Sequence, residues 1–147
     1  MRNSFFLILG LIIIFGSFFL FLRQTPTVLN QQKIIEINDK EIAVEVAATA
    51  ETRSKGLSGR GSLEEGTGML FIFDSPAQYG FWMKDMNFAI DIVWIDEKFH
   101  IVDVDKEVSP ETFPQVFYPA QEIKYVLELL AGTVDKYRIA TNTVVQL

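Results

Sequence analysis

Ile34-Ile-Glu-Ile-Asn-Asp-Lys-Glu-Ile-Ala-Val-Glu-Val46 decides the fold class. Ile35 and Ile37 alternate with polar residues, and so do Ile42, Val44 and Val46 after Asn38-Asp39. A period of two places one side-chain set on one face of a strand. Asn-Asp between two such runs is a turn signal, so the stretch predicts a β-hairpin with one buried face.

The same pattern continues toward the C-terminus. Thr49 is placed to cap a short helix over Ala50–Leu57, with Glu51 in its first turn, before Gly56, Gly59 and Gly61 break it. Met69–Phe73 is an unbroken apolar run between Gly68 and Asp74-Ser75-Pro76, which suits a fully buried strand. Tyr79–Met83 and Ile90–Ile95 read as strands, and Asp96-Glu97-Lys98 as a turn into a partner strand over Phe99–Val104. Ser109–Pro119 holds three prolines and reads as an ordered loop or edge. Lys124–Leu130 is apolar again, Gly132–Arg138 suits a turn of helix, and Thr143–Leu147 a last short strand. Strands outnumber helices, which predicts a mainly β sandwich or barrel with one or two short helices.

Upstream of the hairpin the composition changes. From Phe5 to Leu22 only Gly10, Gly16 and Ser17 are not strongly apolar, and no charge interrupts the run. A helix over Ser4–Leu22 would span about 28 Å, close to the roughly 30 Å of a bilayer's hydrocarbon core. The expected organisation is an anchor over residues 1–23 (helix about 4–22), a linker over 24–32 and a globular domain over 33–147. The rival is a cleaved signal peptide, but Phe21-Leu22-Arg23-Gln24-Thr25 offers no small-x-small site. The α-amino group and Arg2 precede the run and Arg23 follows it. That slight bias favours an extracytoplasmic domain on a single-pass anchor.

Setting aside Arg2 and Arg23 leaves 11 basic residues against 19 acidic ones. So acidic a domain is a poor partner for nucleic acid, whose phosphates require basic surface. The chain has no Cys and one His, His100. Thiol chemistry is excluded, and His100 in a predicted hairpin strand makes a poor centre for a triad. No zinc-ligand spacing, calcium loop or phosphate-binding glycine loop occurs, so no metal or cofactor is expected.

Two stretches remain as sites. Arg53-Ser-Lys-Gly-Leu-Ser-Gly-Arg60 sets two guanidinium groups beside a glycine-rich turn, fit to grip a carboxylate or phosphate or to form internal ion pairs. Phe81-Trp-Met-Lys-Asp-Met-Asn-Phe-Ala-Ile-Asp91 packs aromatic, Met, Lys and Asp together. Trp82 can stack on a sugar or an organic cation. The alternative for this stretch is core packing with a structural Lys–Asp pair.

Five ordered segments carry a resemblance: Arg53-x-x-Gly56-Leu57-x-x-Arg60, Gly68-Met-Leu-Phe-x-Phe73, Phe81-Trp-Met-Lys84, Asp91 with Trp94-Ile-Asp96, and Tyr125-Val-Leu-Glu128-x-x-Ala-Gly132. Together they resemble domain-of-unknown-function family 192, also catalogued as uncharacterised protein family 127, over roughly Ile34–Leu147. The resemblance implies a compact β-sandwich similar to a jelly roll, in proteins that are often secreted or membrane-tethered. It implies no settled activity. Ser58 and Asp85-Met86 depart from the family's usual residues, and Asp85 sets an extra carboxylate beside Lys84.

The family's charged and aromatic motif positions fall on Arg53, Arg60, Trp82, Lys84, Asp91 and Glu128, which are the ligand-site candidates. Glu128 lies among apolar neighbours and so needs a partner, for which Arg53, Arg60 or Lys84 are available. Three functions compete. The first is a non-catalytic binding module for a small molecule, glycan or peptide in the cell envelope. The second is an assembly partner of another envelope protein, docking through the apolar residues of Phe113–Tyr118. The third is an acid/base hydrolase or lyase using Asp91 and Glu128. Apart from the lipid bilayer, the expected partners are an unknown small ligand or an envelope protein.

Overall fold

The computed structural model describes residues 32–147. The predicted anchor over residues 4–22 lies outside the described residues. Among these, no helix is long and apolar enough to cross a membrane.

The chain is mainly β with few short helices. The hairpin forms as the alternation predicts, from β1 (Gln32–Ile37) and β2 (Lys40–Ala47). Asn38 and Asp39 turn it at φ of 52° and 58°. Two consecutive left-handed residues give the turn a twist that matches the strands. Ile35, Ile37, Ile42 and Val44 are buried as expected, but Val46 is only half-buried, and Ala47 packs on the other face of the sheet.

Thr49 caps α1 (Ala50–Lys55), its hydroxyl accepting from Thr52 N at 3.1 Å while Thr52 Oγ1 accepts from Thr49 N at 3.0 Å. The helix ends at Lys55 with Gly56 as its cap, two residues earlier than the sequence suggests. Then come β3 (Thr67–Ala77), β4 (Phe81–Trp82), β5 (Ile90–Ile95), β6 (Ile101–Val108), β7 (Val116–Phe117), β8 (Ile123–Leu130) and α2 (Thr133–Lys136).

Two sheets of similar size, as in a sandwich or jelly roll, do not form. One six-stranded sheet runs β1-β2-β3-β8-β5-β6, and β4 pairs with β7 in a two-stranded sheet. The cause is the α1 crossover. It returns β3 parallel to β2, so the hairpin extends the main sheet instead of opposing it. The remaining pairings in the main sheet are antiparallel.

The C-terminal segment then links the outer strands. Glu36 and Gln146 exchange backbone hydrogen bonds of 2.9 Å, while Val145 N donates to Phe99 O and Ile101 N to Thr143 O, both at 2.9 Å. This bridging replaces the predicted last strand and draws the sheet toward a barrel. It also places His100 at a bridge with Val144 before β6, not within a strand.

Both faces of the sheet are covered, which is why β3, β5 and β8 are mostly apolar and lack a clean alternation, with Asp91 and Glu128 buried within β5 and β8. Leu70, Val93, Ile95, Leu127 and Leu129 pack against the hairpin and against Val134, Ile139 and Val145. On the opposite face, Met69, Phe71, Ile92, Trp94 and Val126 pack beneath Leu57, Met83 and Ile123. Trp94 is fully buried, and its Nε1 donates to Asp105 Oδ2 at 2.8 Å, so its polar edge is satisfied.

Candidate functional site

The second face opens into a cleft of about 480 Å³. One wall is α1 and the turn after it, contributing Arg53, Lys55 and Ser58. The opposite wall is the segment around β4, with Tyr79, Phe81, Trp82, Lys84 and Asp85. Phe71 and Phe73 of β3 and Glu128 of β8 complete the lining.

Local bonds hold the walls together. Ser58 Oγ donates to Lys84 O at 2.9 Å, Gly59 N to Asp85 O at 2.8 Å, and Asn87 Nδ2 to Arg60 O at 2.8 Å. The aromatic rings interlock. Phe71 meets Phe81 edge-to-face at 4.9 Å, Phe81 meets Trp94 at 5.5 Å, and Phe73 stacks on Tyr79 at 3.6 Å. Trp82 is 53% exposed at the mouth. Its neighbours there are Phe113, at 6.0 Å between ring centres, and Lys84 Nζ, 5.9 Å above its ring.

Four of the six expected site residues line this cleft: Arg53, Trp82, Lys84 and Glu128. Arg53 is also used structurally. Its Nη1 donates to Ala48 O at 2.6 Å and Ile72 O at 2.8 Å, and its guanidinium lies 5.1 Å over the Phe73 ring.

Arg60 does not line the cleft. It grips Glu45 with two hydrogen bonds, Nη1 to Oε1 at 2.5 Å and Nη2 to Oε2 at 2.7 Å. That fork holds the Glu45 carboxyl below its ordinary range, against some opposing desolvation.

Asp91 is elsewhere. It is fully buried, and its two oxygens accept from Glu107 N and Val134 N, each at 2.8 Å. In the β5–β8 register Asp91 stands opposite Leu129, whereas Glu128 stands opposite Ile92. Directly paired residues share a face, and consecutive ones alternate. The two carboxyls therefore project from opposite faces of the sheet, which overturns their expected pairing in one acid/base cleft. Asp91 is a structural residue that ties β6 and α2 to the sheet.

Glu128 is the unusual group. It is only 6% exposed, and its Oε2 has no hydrogen-bond partner. The partner expected from Arg53, Arg60 or Lys84 does not reach that oxygen. Burial pushes its pKa up to about 8, opposed by the nearby Arg60 charge. At neutral pH most of the population is therefore the neutral acid, able to donate as well as accept. The aromatic residues Phe71, Phe73 and Tyr79 were not singled out from the sequence, because runs such as Met69–Phe73 read equally well as core.

The cleft lining contains no His and no Cys, and among the described residues no group of His, Cys, Asp or Glu can hold a metal ion. His100 is a surface residue with Nδ1 3.5 Å from Asp96 Oδ2, and it takes no part in the cleft.

Two solved structures share the fold. One is a proposed transcription regulator from Sinorhizobium meliloti 1021, 23% identical with a TM-score of 0.76, the match covering 81% of this chain and 95% of that one. The other is a protein of unknown function from Novosphingobium aromaticivorans DSM 12444, 21% identical with a TM-score of 0.77, covering 84% of this chain and 90% of that one. Comparison with curated proteins returns no match. Residues 33–147 match the model of the DUF192 family, described as an uncharacterised ACR, and the chain belongs to that family.

Proposed function

We propose that this chain is a non-catalytic binding module, tethered to the membrane by its N-terminal apolar run and facing the cell envelope, whose cleft takes a small ligand. The observation that carries the reading is the unpartnered Oε2 of Glu128 at a cleft walled by aromatic rings. A buried polar atom without a partner costs roughly 1–3 kcal/mol. A ligand that supplies the missing hydrogen bond recovers part of that cost on binding, while the rings provide apolar contact. The accessible lining is somewhat more polar than apolar, so placed polar and charged groups carry much of the recognition beside the rings. The tether rests on the uninterrupted apolarity of Phe5–Leu22, and the outward orientation on the basic residues flanking it.

The assembly reading has one observation in its favour. Trp82, Phe113 and Tyr118 are all exposed large apolar residues. Trp82 and Phe113 are in edge contact, and exposed apolar clusters mark contact surfaces.

Ligand screening by thermal shift, followed by calorimetry with Trp82→Ala and Lys84→Ala, tests the binding reading. A ligand lost on either substitution, with the melting temperature nearly unchanged, supports it. If a ligand binds equally well to both variants, the cleft is not its site.

A further inference from the structure

The cleft's charge differs in sign from the surface around it. The domain carries 11 basic residues against 19 acidic ones. Yet the cleft lining holds Arg53, Lys55 and Lys84 against Asp85 and the buried Glu128. An acidic protein that gathers cations around an aromatic-walled recess focuses a positive potential there.

We infer that the cleft selects small organic anions, specifically a carboxylate borne on a flat apolar body, with Glu128 supplying the hydrogen bond at its inner end. The inference rests on the binding reading above and names its ligand class. The flat body packs between the Phe71 and Phe81 side and Trp82 at the mouth. The carboxylate meets the Glu128 carboxyl group, which lines the cleft and whose buried Oε2 has no partner among the described residues; turning that oxygen toward the cleft is part of binding. An acid facing a carboxylate forms a short, charge-assisted O–H···O bond. An amine would instead require Glu128 to ionise in a buried place and would be repelled by the three cations.

Glu128 in the neutral form suits this role, since its pKa is pushed up to about 8. The charged and titratable groups around it are Arg53 and Lys55 of α1, Tyr79 before β4, and Lys84 and Asp85 after it. Behind these stands Arg60, whose charge acts on Glu128 in the opposite sense to burial.

The test uses three probes that share one ring and differ in head group: benzoate, benzylamine and benzyl alcohol. Each is titrated into the full chain by calorimetry at pH 6 and pH 9. Benzoate is expected to bind most tightly of the three at pH 6. Its affinity should fall about tenfold by pH 9, one unit above the Glu128 midpoint, as that acid ionises. Glu128→Gln, which keeps a donor and cannot ionise, should retain benzoate binding and abolish the fall. Lys84→Gln should weaken benzoate at both pH values.

Tighter binding of benzylamine or benzyl alcohol than of benzoate would overturn the anion preference while leaving a binding cleft in place. The same fall with pH in Glu128→Gln as in the parent chain would overturn the role of Glu128. Failure of all three probes at millimolar concentration would overturn the inference about a flat apolar carboxylate, while the ligand screen above decides the binding reading.

Discussion

Asp91 and Glu128 occupy adjacent strands, one residue out of register, and point to opposite faces of the sheet. Both are buried, yet their situations are opposite. Asp91 has each oxygen matched to a backbone N–H, while Glu128 keeps one oxygen unmatched. The first fastens neighbouring segments and the second lines the cleft. Hydrolysis by paired carboxylates needs both in one cleft with room for a sugar between them, and this sheet forbids it.

Asp91→Ala is therefore expected to act on stability. It leaves the N–H groups of Glu107 and Val134 without their acceptor. The Val134 N–H is buried and its lost acceptor costs roughly 1–3 kcal/mol, while the more exposed Glu107 N–H adds less, so stability should fall by about 1–3 kcal/mol in urea unfolding at constant m-value. Asp91→Asn keeps one acceptor oxygen and should fall between Asp91→Ala and the parent chain. A variant that unfolds at the parental midpoint would show that these two bonds contribute nothing.

Glu128 makes a prediction about pH. Its folded midpoint of about 8 lies above the ordinary 4.5 of the unfolded chain. Between those values the folded state binds more protons than the unfolded one, so stability falls as pH rises. The slope approaches 1.4 kcal/mol per pH unit and flattens above the folded midpoint. Glu128→Gln removes this contribution. The variant should match the parent near pH 4.5 and exceed it at pH 8 and above. Melting temperatures across pH 4–9 check this. Parallel curves for the two chains would mean that Glu128 is not held neutral by burial.

How far the sequence could have led differs between these elements. The hairpin was legible because its evidence is local: alternation on both sides of Asn38-Asp39, which turn with positive φ. The central place of β8 was not, because a strand covered on both faces loses its alternation and reads as a mostly apolar run. The aromatic walls were hidden for the same reason. Glu128 stood out as a carboxyl among apolar residues, but its lack of a partner depends on where Arg60 goes. Arg60 goes to Glu45, 15 residues earlier in the chain. The partners of Asp91 lie 16 and 43 residues away and are backbone groups, which no side-chain motif records.

Arg60 connects the ion pair to the site. Its charge pulls the Glu128 midpoint down, so Arg60→Met should move that midpoint above 8. The same substitution should let Glu45 rise toward its ordinary 4.5. Glu45 is held low in the folded chain, so its contribution to stability is present above pH 4.5 and lost as pH falls through the folded value. The variant lacks it throughout, so the two chains should converge in acid. Both side chains are partly exposed, at 34% and 22%, which limits the pair to the order of 1 kcal/mol. Carboxyl carbon NMR titration of Glu45 and Glu128 reads both shifts in one experiment. An unmoved Glu128 would mean that the Arg60 field does not reach the cleft.

Gly68 tests how tightly β3 packs against β8, on the face of the sheet away from the cleft. It is buried on β3 opposite Leu129, and a Cβ there would lie 2.8 Å from Glu128 O and 2.9 Å from Leu129 Cδ2. The leucine tip can turn away, but the carbonyl belongs to the β8 backbone and cannot. Replacing Gly by Ala ordinarily stabilises by about 0.4–1 kcal/mol, because the unfolded chain loses freedom. Overpacking a filled interior costs about 1–3 kcal/mol and should win. Gly68→Ala is thus expected to lower stability by roughly 1–2 kcal/mol, measured by urea unfolding. Because relief of the clash must move β8 at Glu128 itself, the pH-dependence of stability should change as well. Gly61, whose added Cβ would meet nothing within 4 Å, is the control. Gly61→Ala should raise stability by up to about 0.4–1 kcal/mol and leave its pH slope that of the parent. Equal behaviour of the two alanine variants would show that β3 and β8 are not in the close contact that sets Glu128 in the cleft.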